Sequence, residues 1–276
     1  MTAQTTMVEA GRHRIEASVR GTGSPAVVIE PSFGGSAAEW RPIAETLAGQ
    51  TTVVTYDRAP YGASSRAADG RTPADIARDL HTVLEALDVA DPVVLVGFSA
   101  GGLYVRKYAA LHPDQVAGMV LVESSHEGQT PLLNEVFSWK VKLAGLLFVP
   151  QVLFSRRKAR NGADRRSMLR EWRAFRRLTA ADRPLAPGAL GDKPLLVVTR
   201  ADGGPYGGRQ WRLWHDFHRE QAQLSANSRH VISEKADHAL NESDPDLVTA
   251  AIEAVVSSAR TGNPLARGGP ARTFAT

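Results

Sequence analysis

The sequence predicts an α/β fold, a mostly parallel sheet covered by helices on both faces and interrupted by a helical insertion. Three observations predict it. Short apolar runs, HRIEASVRG, PAVVIE, TTVVTYD and PVVLVG, then MVLVE, PLLVVT and RHVIS, alternate with amphipathic stretches, the pattern of strands joined by helical crossovers. The alternation stops between residues 126 and 192 and resumes at 193. A length of 276 residues suits one large core with an inserted subdomain.

Each element has a local signal. SAAEW opens a helix with the spacing of a capping box, Ser36 to Glu39, and TPADIARDL opens another with Thr72 ahead of Pro73. Ile76, Leu80, Val83, Leu84 and Leu87 recur at helical spacing along one face of the second. The apolar run DPVVLV leads through GFSAGG into AGGLYVRKYAALH, a strand, a tight turn and a helix. In the insertion, EVFSWKVKLAGLLF and RSMLREWRAFRRL have helical periodicity, with Leu169, Trp172, Phe175 and Leu178 on one face of the latter. The expected division is a first core part at 1–125, the insertion at 126–192, a second core part at 193–260, and a disordered Gly/Pro/Ala-rich tail at 261–276.

Composition narrows the classes of function. With no cysteine, disulfide frameworks, thiolate metal sites and cysteine nucleophiles are excluded. The N-terminal MTAQTTMVEAGRHR lacks an apolar signal core, and the run LAGLLFVPQVLF is too short to span a bilayer and contains Pro150. A cytoplasmic location is expected. Twelve Lys or Arg but only two acids, Asp164 and Glu171, lie between Lys140 and Arg177, so the rest of the chain is net negative. That distribution argues against nucleic acid as a partner and gives the insertion a basic face, solvated or in weak contact with an anionic surface. Nothing in the pattern indicates an oligomeric state.

The chemistry starts at G-x-S-x-G. A serine on a sharp turn between a buried strand and a helix has its hydroxyl lifted above the sheet, where it can act as a nucleophile. Ser99 is that residue. It needs a base, and His238 has the right setting, in a loop between the last strand and a terminal helix. The other seven histidines fall in or beside regular elements or begin the insertion; His215 and His218, three apart, have no further ligand motif around them, and no metal is expected. The acid is expected at Asp202, after PLLVVT, in the chain order serine, acid, histidine. Glu123, ending MVLVE, is the rival for that place and otherwise a pocket residue with His126. The oxyanion donors are expected from Ala100, following the nucleophile, and from Phe33 in EPSFGGS, since Pro31 has no N–H.

With SFGGSAAEW, YDRAPYGASS, GFSAGG, VLVESSH, the strand before Asp202 and DHALNESDPDLV in view, the chain resembles lidded α/β-hydrolase fold proteins, related to esterases, proline iminopeptidases and cofactor-free haloperoxidases. The resemblance implies an eight-stranded sheet, a lid made by the insertion, and an active site between lid and sheet. It implies hydrolysis, without a cofactor, of an ester or related acyl bond in a small to medium apolar substrate. Thioesterase, aminopeptidase, carbon–carbon hydrolase and perhydrolase chemistry use the same triad, and a non-catalytic ligand-binding protein is the alternative from another class. The family often has His-Gly where this chain has Pro31-Ser32, and Gly where it has Pro60.

Overall fold

The computed structural model describes residues 3–66, 71–89, 92–129, 170–171, 173–175, 185–201, 208–235 and 237–266. Among these, eight strands form one sheet: β1 (Gln4–Ala10), β2 (His13–Arg20), β3 (Val27–Glu30), β4 (Val53–Asp57), β5 (Val93–Phe98), β6 (Val116–Val122), β7 (Leu195–Thr199) and β8 (Ser228–Ile232), in the order β1-β2-β4-β3-β5-β6-β7-β8. β1, β2 and β4 pair antiparallel, and every pairing from β4 to β8 is parallel.

Strands β3 to β7 are almost wholly buried on both faces, and their alternation sorts side chains into two cores. Leu95, Met119, Leu121 and Val197 face α2 (Pro73–Ala86) and α3 (Ala100–Leu111). Val94, Val96, Val120 and Val198 face α1 (Arg41–Leu47) and the C-terminal helix Pro245–Thr261. The period of two along each strand is therefore what gives both helical layers an apolar seat. Helix α4 (Arg209–Ala222) packs on β7 and β8, and the short α5 (Leu240–Ser243) precedes that C-terminal helix, α6.

The α2 stripe matches expectation: Ile76, Leu80, Val83 and Leu84 are buried, and Thr72 and Asp75 make a reciprocal capping box. The Ser36 cap differs. Ser36 makes no side-chain cap hydrogen bond, and a 3-10 turn, Ala37–Trp40, precedes α1 instead. The Ala37 N–H is taken by Asp57 Oδ1 at 2.8 Å, so β4 supplies the acceptor that the serine does not. β1 had no signal, because only Val8 and Ala10 of it are buried in the core and Met7 stands exposed among polar neighbours. The start of the expected tail is also ordered against the core: Gly262 ends α6 in the left-handed conformation, Leu265 is buried, and its N–H donates to Asn227 Oδ1 at 2.9 Å. Of the insertion helices, EVFSWKVKLAGLLF lies outside the described residues, as do Leu169 and Leu178, whereas Phe175 packs against Ile76, Ala100, Leu103 and Tyr104.

Candidate active site

Ser99 sits between β5 and α3 with φ 53° and ψ −119°. L-residues adopt that backbone at a cost, so the surroundings must hold it. They do so from β6: Ser99 N–H donates to Val122 O at 3.0 Å, and Ser125 N–H donates to Ser99 O at 2.8 Å. The flanking glycines are needed for close approach. A Cβ on Gly97 would lie 2.6 Å from Val105 Cγ2, and one on Gly101 would overlap the carbonyl oxygen of Glu30 and sit 2.7 Å from that of Pro31. Gly101 thus lets α3 rest on the backbone that leads into the 31–35 loop.

His238 follows β8 in a loop tied by Asp237 Oδ1, which accepts the Ala239 N–H at 3.0 Å. Its ring lies between Phe98 and Trp214, with centroid distances of 5.3 and 6.3 Å. Nε2 is 3.0 Å from Ser99 Oγ, and Nδ1 is 2.9 Å from Glu123 Oε2. Because a carboxylate only accepts, Nδ1 carries the proton and Nε2 is left to accept from the serine hydroxyl.

The carboxylate beside His238 is that of Glu123, the rival named for the acid's place. The carboxylate on His238 Nδ1 comes from the end of β6, and Asp202 lies outside the described residues. Glu123 is fully buried and has φ 46°. Its carboxylate accepts the Arg200 backbone N–H at 2.8 Å and the Trp214 indole N–H at 3.3 Å, and the Arg200 guanidinium lies 3.5 Å away. Burial pushes its pKa up, but the hydrogen bond and charge of His238, with His218 and Arg200, outweigh burial and hold it at about 2. The group is ionised throughout the neutral range.

Behind Glu123 runs a buried chain of polar groups. His218 Nε2 faces Ser124 O at 3.0 Å, its Nδ1 lies 2.7 Å from Thr199 Oγ1, and that oxygen lies 2.7 Å from His230 Nε2. Burial lowers the pKa of His218 to about 4 and, with the neighbouring histidines, that of His230 to about 3. Both rings are therefore neutral at pH 7. The carbonyl at Ser124 requires the proton on His218 Nε2, so Thr199 donates to His218 Nδ1 and accepts from His230 Nε2–H.

The expected oxyanion residues are neighbours. Phe33 packs against the cluster that contains Ala100, Leu103, Tyr104 and Phe175. The loop that holds Phe33 is fixed from below by Arg58, whose Nη1 donates to Pro31 O and Nη2 to Ser32 O, both at 2.9 Å. Arg58 also pairs with the buried carboxylates of Glu30 and Glu171. The ring of His126, expected at the pocket, stacks on Phe217 at 4.4 Å and lines a small cavity with Arg106, Glu127, Glu220, Gln221 and Leu224. Sequence reasoning missed Trp214, Arg200, His218 and Glu171. The WRLWHDFH run carried a signal, since Trp214 and His218 are four apart and share one face of α4.

Among the described residues, no group of three or more His, Cys, Asp or Glu side chains is placed to hold a metal ion, and no helix is long and apolar enough to cross a membrane. Residues 25–240 match the family described as alpha/beta hydrolase fold. An uncharacterized Bacillus subtilis protein, YqjL, is 24% identical over 84% of each chain. In structure the chain is similar to a thermophilic esterase from Thermogutta terrifontis (TM-score 0.71, 18% identity, covering 95% of this chain and 100% of that one). It is likewise similar to a bromoperoxidase from Bacillus anthracis (TM-score 0.71, 21% identity, covering 92% and 100%).

Proposed function

The chain belongs to the alpha/beta hydrolase fold family, and we propose that it is a serine hydrolase cleaving a carboxylic ester, or a related acyl bond, of a small to medium apolar substrate. The observation that carries the reading is the unbroken hydrogen-bonded series Ser99 Oγ, His238 Nε2, His238 Nδ1, Glu123 Oε2, with links of 3.0 and 2.9 Å.

In this reading Ser99 Oγ attacks the carbonyl carbon as His238 Nε2 takes its proton. Glu123 holds the imidazole in the reactive tautomer and stabilises the imidazolium by its charge, without accepting the proton. The N–H groups of Ala100 and Phe33 receive the oxyanion, and the N-terminus of α3 adds its dipole. The carbon–oxygen bond to the leaving group breaks as His238 returns the proton to the departing alkoxide. Water then gives a proton to His238 and attacks the acyl carbon, and the Ser99–acyl bond breaks as Ser99 Oγ recovers that proton.

Phe33, Phe98, Trp214 and Phe175 surround or adjoin this series, which favours an apolar acyl or alcohol group. The test is labelling by a fluorophosphonate probe, then turnover of aryl esters across acyl chain lengths. Wild type should be labelled at Ser99 and should turn over; Ser99→Ala should be unlabelled and lose on the order of 10⁴-fold or more in rate. A Ser99→Ala protein keeping about a tenth of wild-type turnover, against the loss of that size, places the chemistry elsewhere.

A further inference from the structure

Glu171, one of two acids between Lys140 and Arg177, is only 2% exposed. It does not lie on the solvated face of a basic helix. Its Oε1 accepts from Tyr104 at 3.0 Å and from Arg58 Nη2 at 3.2 Å, and Oε2 accepts from the Tyr61 hydroxyl. The guanidinium also lies over both phenol rings, 5.3 Å from the Tyr61 centroid and 5.0 Å from that of Tyr104.

The four terminal N–H groups of Arg58 are thereby allotted. Nη1 serves Glu30 and Pro31 O; Nη2 serves Ser32 O and Glu171. The Ser32 carbonyl belongs to the same peptide unit as the Phe33 N–H. In a planar trans peptide the two point in opposite directions, so a donor that fixes Ser32 O also fixes where the Phe33 N–H aims. Tyr104 stands one helical turn after Ala100 on α3. One carboxylate therefore joins the carriers of both oxyanion donors, the 31–35 loop through Arg58 and the nucleophile's helix through Tyr104.

We propose that Glu171 is a positioning residue for the oxyanion hole: by bridging Arg58 and Tyr104 it fixes the distance and angle between the Phe33 and Ala100 N–H groups, and so makes the inserted segment part of transition-state stabilisation. The proposal rests on the serine-hydrolase reading. It also explains why a carboxylate is buried there. Removing it leaves a buried guanidinium N–H and two phenols without their acceptor, a loss the core cannot make good.

The test compares Glu171→Ala and Glu171→Gln with wild type in aryl-ester kinetics and in affinity for a phenylboronic acid, whose serine adduct places an oxygen in the oxyanion hole. Glu171→Ala should lower kcat about tenfold or more, below the cost of deleting a donor outright, with KM within about twofold. Boronate affinity should fall by a similar factor, and Gln, whose single carbonyl oxygen can still accept from one of the two phenols, should fall between Ala and wild type. A purely structural role lowers the melting temperature and leaves kcat and boronate affinity at wild-type values in the folded protein; that result overturns the proposal. If the alanine variant does not fold, the glutamine variant decides on the same readouts. Failure of the hydrolase reading is distinct, because wild type itself would then show neither Ser99 labelling nor turnover.

Discussion

Ser99 and Glu123 are consecutive exits from paired strands: Phe98 and Val122 are in register across β5 and β6, and the next residue of each has a positive φ, 53° and 46°. Both side chains are thereby turned upward onto the two nitrogens of one imidazole. Strain of this kind costs about 1–3 kcal/mol per residue, and it can be read directly at Ser99. Ser99→Gly should be more stable than Ser99→Ala by about 1 kcal/mol, since only the alanine retains the penalty at this backbone angle. Urea unfolding of the two inactive proteins measures the difference, and an alanine variant equal to or more stable than the glycine variant contradicts it.

The acid assignment predicts a ranking. Glu123→Gln should lose at least about a hundredfold in kcat, toward a ceiling near 10⁴, because an amide lets the imidazole take the wrong tautomer. Asp202→Asn should lose less than about tenfold, since Glu123 still fills the place beside Nδ1. Steady-state kinetics on one aryl ester suffices, and the opposite order would return the acid to Asp202.

Gly101→Ala should cost more than an ordinary helix substitution gains. The new Cβ meets the backbone carbonyls of Glu30 and Pro31, which cannot swing aside as a side chain would. Overpacking of this type costs about 1–3 kcal/mol. A melting temperature at or above wild type would show that the helix and the 31–35 loop are not held in this contact.

Acid should weaken the fold before it reaches the Glu123 carboxylate. His218 and His230 have folded pKa values lowered to about 4 and about 3, against about 6.5 in the unfolded chain. Between pH 6.5 and 4 the unfolded state thus binds more protons, so stability falls as pH falls and levels off below both values. His218 contributes up to about 3 kcal/mol of this. Glu123, held at about 2, adds its loss only below the ordinary carboxylate range. Unfolding midpoints at pH 7, 5.5 and 4 should show the slope in wild type and a flatter one in His218→Gln; parallel slopes would reject the assignment.

What the sequence made legible was whatever local chemistry dictates. The parallel strands announce themselves as apolar runs, and Ser99 and His238 stand in contexts that few residues share. β1 was hidden because an edge strand that buries only two residues lacks that signal. The choice between Asp202 and Glu123 was not legible for a different reason. Chain order favours the carboxylate after β7, but an acceptor for Nδ1 is chosen by distance in three dimensions, and β6 lies closer to β5 than β7 does. Glu171 was read as one of two acids among twelve bases. Only its burial against Arg58, from a distant part of the chain, gives it a role.

In the proposed mechanism Ser99, Glu123, Ala100 and Phe33 all lie within the first 125 residues, and His238 alone comes from after residue 192. The base is thus a detachable component, seated between Phe98 and Trp214 with its side chain 42% exposed. A free imidazole should be able to take its place. In His238→Ala, millimolar imidazole should restore part of the lost turnover, saturating with concentration as a bound species does. Because Glu123 is what would orient the visitor, the same addition should do far less for a protein that also carries Glu123→Gln.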